Sequence, residues 1–260
     1  MSSLETLILA SNSMVGDIPP ALFSLPNLVK IDIGSNSITG SIPADVNKAT
    51  ALTSLTLGPN PLTGNFQNNL QDLANLQELI IKDTNIGGRL PDTFAVDLQN
   101  LVDLTISGNP NFGGSIPVSI GTMQRLERLD LSKNRIRNVI PPQLGNLPKL
   151  QFLVLNGNTM TGQIPAELGN TRTLRELYLN DNDLTGIIPL SLQRLDNLRR
   201  LRLDGNSLSM VRVSDEVCSL RGESLIEFVT DCPDRNANGD ILGVICPLPT
   251  CCTSCRQVAQ

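Results

Sequence analysis

Apolar residues return along this chain in one fixed phase, about every 24 residues. The clearest copy reads Leu174-Arg-Glu-Leu177-Tyr-Leu179-Asn-Asp-Asn182-Asp-Leu184-Thr-Gly186-Ile-Ile188-Pro189. Successive copies open at Leu4, Leu28, Leu52, Leu76, Leu101, Leu126, Leu150, Leu174 and Leu198. Such a period predicts an α/β repeat solenoid, because each unit buries its apolar side only by stacking on its neighbours. Around Leu177 and Leu179 the pattern alternates with a period of two. This predicts a short strand with those leucines inward and Glu176, Tyr178 and Asn180 outward. One parallel strand from each of nine copies, at ~4.8 Å spacing, predicts a curved sheet about 40 Å long. After the turn, Leu144 and Leu147, or Leu192 and Leu195, are spaced for a short helical or 3₁₀ stretch on the convex side.

Asn12, Asn36, Asn60, Asn109, Asn134, Asn158, Asn182 and Asn206 fall where each strand turns. A side-chain amide there can satisfy backbone groups that a tight turn leaves buried and unpaired. The asparagine row is therefore read as scaffold. The copy ends in segments such as Ile38-Thr-Gly40-Ser-Ile42-Pro43 and Met160-Thr-Gly162-Gln-Ile164-Pro165. Glycine permits the turn, and proline fixes φ without donating a hydrogen bond. The whole unit, LxxLxLxxNxLxGxIP, resembles the plant-type leucine-rich repeat. That is the repeat of receptor-like kinase ectodomains, receptor-like proteins and polygalacturonase-inhibiting proteins, and the likeness covers about four-fifths of the chain. It implies a right-handed horseshoe with a concave parallel sheet. It also implies a second, smaller sheet on one flank and a cysteine-bearing carboxyl-terminal cap.

Some copies depart from the pattern. The fourth has Thr84 where asparagine is expected, with Asn85 beside it, and gains a residue near Phe94 to Leu98. The fifth gains one within Gly108-Asn-Pro-Asn-Phe112-Gly-Gly114; the third has Phe66-Gln67 for Ile-Pro; the sixth has Asn138 for glycine. Two adjacent irregular copies, from Leu76 to Ile120, are consistent with a functional bulge or local twist, although insertions of this kind are more often tolerated surface loops.

Two units are expected: repeats over 1–206 and a cysteine-rich cap over 207–260. The chain opens inside a repeat, with neither a signal peptide nor an amino-terminal cap, so a fragment of a longer protein is expected. The net charge of −5, with scattered Lys and Arg, offers no concentrated basic face for nucleic acid. No apolar run approaches the ~20 residues that span a bilayer. Catalysis has little support: there is no histidine, and no nucleophile-elbow, P-loop or kinase signature. No cofactor and no metal are expected.

Once the repeated positions are assigned to the scaffold, variation between copies points to a ligand face. Outward strand positions in the early copies are small and mixed. The later ones present Arg128, Asp130, Phe152, Val154, Glu176, Tyr178, Arg200 and Arg202. Aromatic and arginine side chains together are the composition of interface hot spots. These eight are the candidate concave-face residues for a protein, peptide or glycan ligand. The competing reading pairs Arg128 with Asp130, and Glu176 with Arg200, on a merely solvated face. The resemblance suggests the ectodomain part of a cell-surface receptor-like protein. A secreted inhibitor or structural surface protein of the polygalacturonase-inhibitor type, or an intracellular adaptor, are the alternatives.

Cys218, Cys232, Cys246, Cys251, Cys252 and Cys255 all lie beyond the repeats. Three disulfides are favoured over zinc, since histidine and paired C-x₂-C knuckles are lacking. Disulfides imply an oxidising compartment, secreted or on the outer side of the plasma membrane; no N-x-[ST] acceptor accompanies them. Ser224 to Thr230 reads as one last degenerate strand. Asp234-Arg-Asn236-Ala-Asn238-Gly239-Asp240 matches half of a calcium loop but has Ile245 where the bidentate glutamate belongs, so an Asn238-Gly239 hairpin turn is the better reading.

Overall fold

The computed structural model describes residues 3–66, 70–208, 225–231, 234–235, 241–242, 252 and 254–256. Each copy contributes a three- to five-residue strand to one parallel sheet: Thr6–Ile8, Lys30–Asp32, Ser54–Thr56, Glu78–Lys82, Asp103–Ser107, Arg128–Asp130, Phe152–Val154, Glu176–Tyr178 and Arg200–Arg202. Two further strands, Glu227–Asp231 and Ser254–Arg256, extend it to eleven in sequence order. The sheet thus outruns the nine strands expected. The segment read as a degenerate strand pairs directly with the ninth, Leu201 opposite Phe228. The inward leucines lie in register along the solenoid, Leu104, Leu129, Leu153, Leu177 and Leu201 being fully buried. Removing one such leucine to alanine would cost about 2–5 kcal/mol.

On the flank, the glycine-proline halves of the repeats form a second parallel sheet. Seven strands run from Asn65–Phe66 through Gly87–Arg89, Asn111–Gly114, Arg135–Asn138, Thr159–Gln163 and Asp183–Gly186 to Ser207–Leu208. A separate pair joins Val15–Asp17 to Ser37–Thr39. The repeat glycines Gly16, Gly40, Gly64, Gly88, Gly114, Gly162 and Gly186 all take left-handed φ between 72° and 91°. Asn138, the residue replacing glycine in the sixth copy, takes φ 69°. Asparagine is the side chain that best tolerates this region, so the substitution keeps the turn.

Proline then starts the convex segment. Pro19, Pro43, Pro117, Pro141, Pro165 and Pro189 each stand immediately before a five-residue 3₁₀ turn. In the fourth copy the extra residue converts this turn into a short α-helix, Phe94–Asp97, closed by the Leu98 N–H donating to the Phe94 carbonyl at 3.2 Å.

The asparagine row is a hydrogen-bonded ladder. Asn158 Nδ2 donates to the Leu155 carbonyl of its own copy and to the Leu131 carbonyl of the copy before, both at 2.9 Å. Its Oδ1 accepts from the Ile136 N–H. Because each amide reaches back, the Leu9, Ile33, Leu131, Leu155 and Leu179 carbonyls each accept from two asparagines. The irregular copies differ. Thr84 cannot donate in this way, so among the described residues Asn60 is the one ladder amide on Leu57 O and Asn109 the one on Ile81 O; Asn109 turns its other donor to the Ser107 carbonyl, which leaves Asn134 alone on Ile106 O. An aromatic cluster compensates. Phe66 lies 5.9 Å from Phe94 and 5.7 Å, edge-on, from Phe112, all three buried. The irregular copies are therefore a locally different construction of the core and flank, and not only surface loops.

Cys252 packs partly buried against the core and is disulfide-bonded. Cys218, Cys232, Cys246 and Cys251 lie outside the described residues, as does the side chain of Cys255. Asp234–Arg235 and Ile241–Leu242 pair antiparallel, the arrangement that a hairpin requires; the turn between them, which carries the half-matched calcium loop, lies outside the described residues.

Candidate functional site

Strand register sorts the concave side chains into two rows. The first runs Glu78, Asp103, Arg128, Phe152, Glu176, Arg200, Glu227; the second runs Ile80, Thr105, Asp130, Val154, Tyr178, Arg202, Val229. Of the chain's six phenylalanines, five are buried in the core and only Phe152 stands on this face. It adjoins Val154 and Tyr178, giving a small apolar island with charges on both sides. All eight sequence-predicted residues fall on these rows.

Their contacts are specific. The Arg128 guanidinium carbon lies 4.0 Å from the centre of the Phe152 ring, a close cation–π stack. Its Nε stands 3.5 Å from Asp103 Oδ2. The expected pairing of Arg128 with Asp130 does not form: Asp130 lies one row over and accepts instead from the Ser132 N–H and hydroxyl, at 3.0 and 2.6 Å. The expected cross-strand pair of Glu176 and Arg200 does form, Nη1 donating to Oε1 at 2.5 Å, and Arg200 Nε also stands 3.5 Å from Glu227 Oε2. Arg202 turns along its own strand to Asp204, with donors 3.3 and 3.1 Å from the two carboxylate oxygens. Arginines so held lose little further freedom on binding a ligand.

Val154, expected to be open, is only 8% exposed. It lies in the second row between Asp130 and Tyr178, and a side chain this short is covered by its longer neighbours, as Thr105 is in the same row. The positions just past the strand ends sink further: Ser132, Asn180 and Asp204 are buried. Sequence reasoning omitted Glu227 and Val229, because the tenth strand has no LxxLxLxxN phase. The spacing of Leu225 and Phe228 was its only signal.

Burial moves two groups of this face away from their ordinary ranges. Burial, and next the charge of Glu176, raise the Tyr178 phenol, with Arg200 opposing. Tyr178 is therefore a neutral hydroxyl at physiological pH. Burial also raises the Asp103 carboxyl, against the Thr105 hydroxyl at 2.7 Å and Arg128, and with Glu78 and Asp130 reinforcing the rise. Among the described residues no group of side chains is arranged to hold a metal ion, and no helix is long and apolar enough to cross a membrane.

Comparison with known proteins agrees with this architecture. Family profiles described as leucine-rich repeats match residues 2–62, 124–168 and 173–195. No curated protein matches the chain by sequence. Among solved structures, a TDR receptor is 30% identical with a TM-score of 0.82, over 86% of this chain and 38% of its own. The Arabidopsis receptor kinase HAESA, solved with the peptide hormone IDA and the co-receptor SERK1, is 32% identical with a TM-score of 0.81, over 87% and 37%. A plant ice-binding protein is 26% identical with a TM-score of 0.71, over 81% and 67%. This chain thus spans less than two-fifths of the length of the two receptor chains.

Proposed function

Since the chain belongs to the plant-type leucine-rich-repeat family, we propose that it is a non-catalytic recognition module that binds a peptide or protein ligand across the carboxyl-proximal concave face. The receptor chains it resembles favour an extracellular, receptor-like setting, and HAESA was solved with a peptide hormone. The cysteine-rich segment, with its six cysteines as three disulfides, serves in this reading as the cap of the solenoid's carboxyl end. A glycan finds no support among these relatives.

The observation behind the reading is the apolar island of Phe152, Val154 and Tyr178, with the Arg128 guanidinium stacked on Phe152. Sheet and ion pairs hold these groups before any ligand arrives, and a buried-aromatic centre inside a polar rim is the anatomy of a binding hot spot. The test is a peptide library screened against the whole chain, with the selected peptides remeasured on variants. Phe152→Ala and Tyr178→Ala are each expected to weaken binding about tenfold or more, and Thr56→Ala, on an early strand, to leave it within about twofold. Unchanged affinity in both aromatic variants would overturn the assignment.

A further inference from the structure

The third, fourth and fifth copies, with Asn36 of the second, line an open depression of about 440 Å³ on the turn flank, at the strand ends beside the concave face. Its walls include Pro59, Pro61 and Pro110. The regular later copies have lysine, arginine, glycine, threonine or aspartate at the corresponding places, such as Lys133 and Arg135 or Gly157 and Thr159. The depression also coincides with the break in the asparagine ladder, since Thr84 lies in its lining with Asp83 and Asn85 on either side.

Asp83 is exposed, has a left-handed φ of 50°, and makes no ion pair and no side-chain hydrogen bond among the described residues. The Asn85 side-chain amide is likewise exposed and unengaged. The Asp83 carboxylate is held over Gly108: a Cβ on Gly108 would come 2.1 Å from Asp83 Oδ1. No lysine or arginine lines the depression. It therefore offers an uncompensated carboxylate and an amide oxygen between proline rings, in a volume near the lower end of the roughly 300–1,000 Å³ typical of ligand sites.

We propose that this depression seats the guanidinium side chain of a protein or peptide partner. A guanidinium is planar and weakly hydrated, so its faces can lie against proline rings while its edge donates in parallel to a carboxylate. An ammonium has no such face and keeps more of its hydration, so arginine is preferred to lysine. The site lies apart from the Phe152–Tyr178 island and stands whether or not that island binds a ligand.

The test uses capped arginine, N-acetyl-arginine amide, titrated into isotope-labelled whole chain and followed by amide chemical shifts. Saturable shifts are expected at Asp83, Thr84, Asn85 and Gly108, with capped lysine binding more weakly. Asp83→Asn, which keeps shape and removes charge, is expected to weaken arginine binding about tenfold or more while leaving distant shifts in place. Phe152→Ala should not alter it. Absence of saturable shifts at these four residues, equal binding by the Asp83→Asn protein, or shifts confined to Asp103 and Asp130 on the concave sheet would each overturn the proposal.

Discussion

The coils from Leu126 to Asn206 and those from Leu52 to Phe112 fold to the same plan by different means. In the first region the backbone turn is held twice over: the Leu131, Leu155 and Leu179 carbonyls each accept from two ladder asparagines. In the second, single amides hold Leu57, Ile81 and Ile106, and the Phe66–Phe94–Phe112 cluster supplies volume instead. The difference teaches how a repeat protein specialises. Where the ladder is complete, the scaffold is indifferent to its outward strand positions, and these are free to vary into Arg128, Phe152 and Tyr178. Where the ladder is broken, the backbone itself changes and opens a depression on the flank.

The largest expected effect tests the aromatic half of this comparison. Phe112→Ala should destabilise the chain by about 3–5 kcal/mol, since it empties a fully buried site that bridges two copies. Met160 holds the equivalent place in a regular copy, and Met160→Leu should cost less than about 1.5 kcal/mol. Denaturant midpoints measure both. Similar small losses for the two would show that the phenylalanines fill space without supporting the irregular turns.

The ladder half is tested by two asparagine deletions. Asn158→Ala strands the Ile136 N–H, but Asn134 and Asn182 still serve the Leu131 and Leu155 carbonyls. Asn60→Ala strands the Ile38 N–H and also removes the sole amide on Leu57 O. One buried unsatisfied group costs about 1–3 kcal/mol, so Asn60→Ala should exceed Asn158→Ala by roughly one such penalty. Equal losses in thermal or chemical unfolding would sink the idea that the redundancy matters.

A smaller effect sharpens the backbone side. The residue before each ladder asparagine is left-handed: Ser11, Ser35, Lys133 and Asp181 at φ 54–58°, and Gly108, Gly157 and Gly205 at φ 68–69°. In the third copy this place holds Pro59, which cannot adopt positive φ, and the Gly58–Pro59 peptide is cis. Lys133 bears a side chain where three other copies have none, so Lys133→Gly should stabilise by about 0.5–1 kcal/mol once the unfolded-state entropy of glycine is subtracted. A loss of stability would show that the Lys133 side chain contributes more than its backbone costs.

Much of this was legible in the residues, and the reasons are physical. The inward leucines, the ladder asparagines and the turn glycines recur because each copy must satisfy the same backbone, and repetition makes such requirements visible. The rows of the concave face followed from strand alternation, and all eight candidate residues do lie on it. What repetition does not encode was missed. Val154 and its neighbours differ in exposure because a short side chain is covered by longer ones, and Arg128 chose Asp103 over Asp130 because cross-strand register favours a partner in its own row. The flank depression depends on Thr84, Pro59, Pro61 and Pro110 meeting across three copies. In the sequence these stand as isolated departures at unrelated positions.

The slightest effect concerns the regular region alone, and it needs no change in stability to be seen. Tyr178 is the chain's single tyrosine and there is no tryptophan, so the tyrosinate absorbance band reports this one phenol. Its pKa is raised above 10.0, first by burial and then by the charge and hydrogen bond of Glu176. The folded protein thus holds the proton more tightly than the unfolded chain. The associated stability is fully present below the ordinary tyrosine pKa and is lost as pH rises through the folded one. Glu176→Gln removes the neighbouring charge and should bring the spectroscopic midpoint down toward the ordinary value while leaving the burial contribution. It also frees Arg200 from its 2.5 Å partner, but an ion pair this accessible contributes under about 1 kcal/mol, so unfolding should barely change. A midpoint that stays put in Glu176→Gln would mean that burial alone sets the phenol, and that the charges beside the apolar island do not act on it.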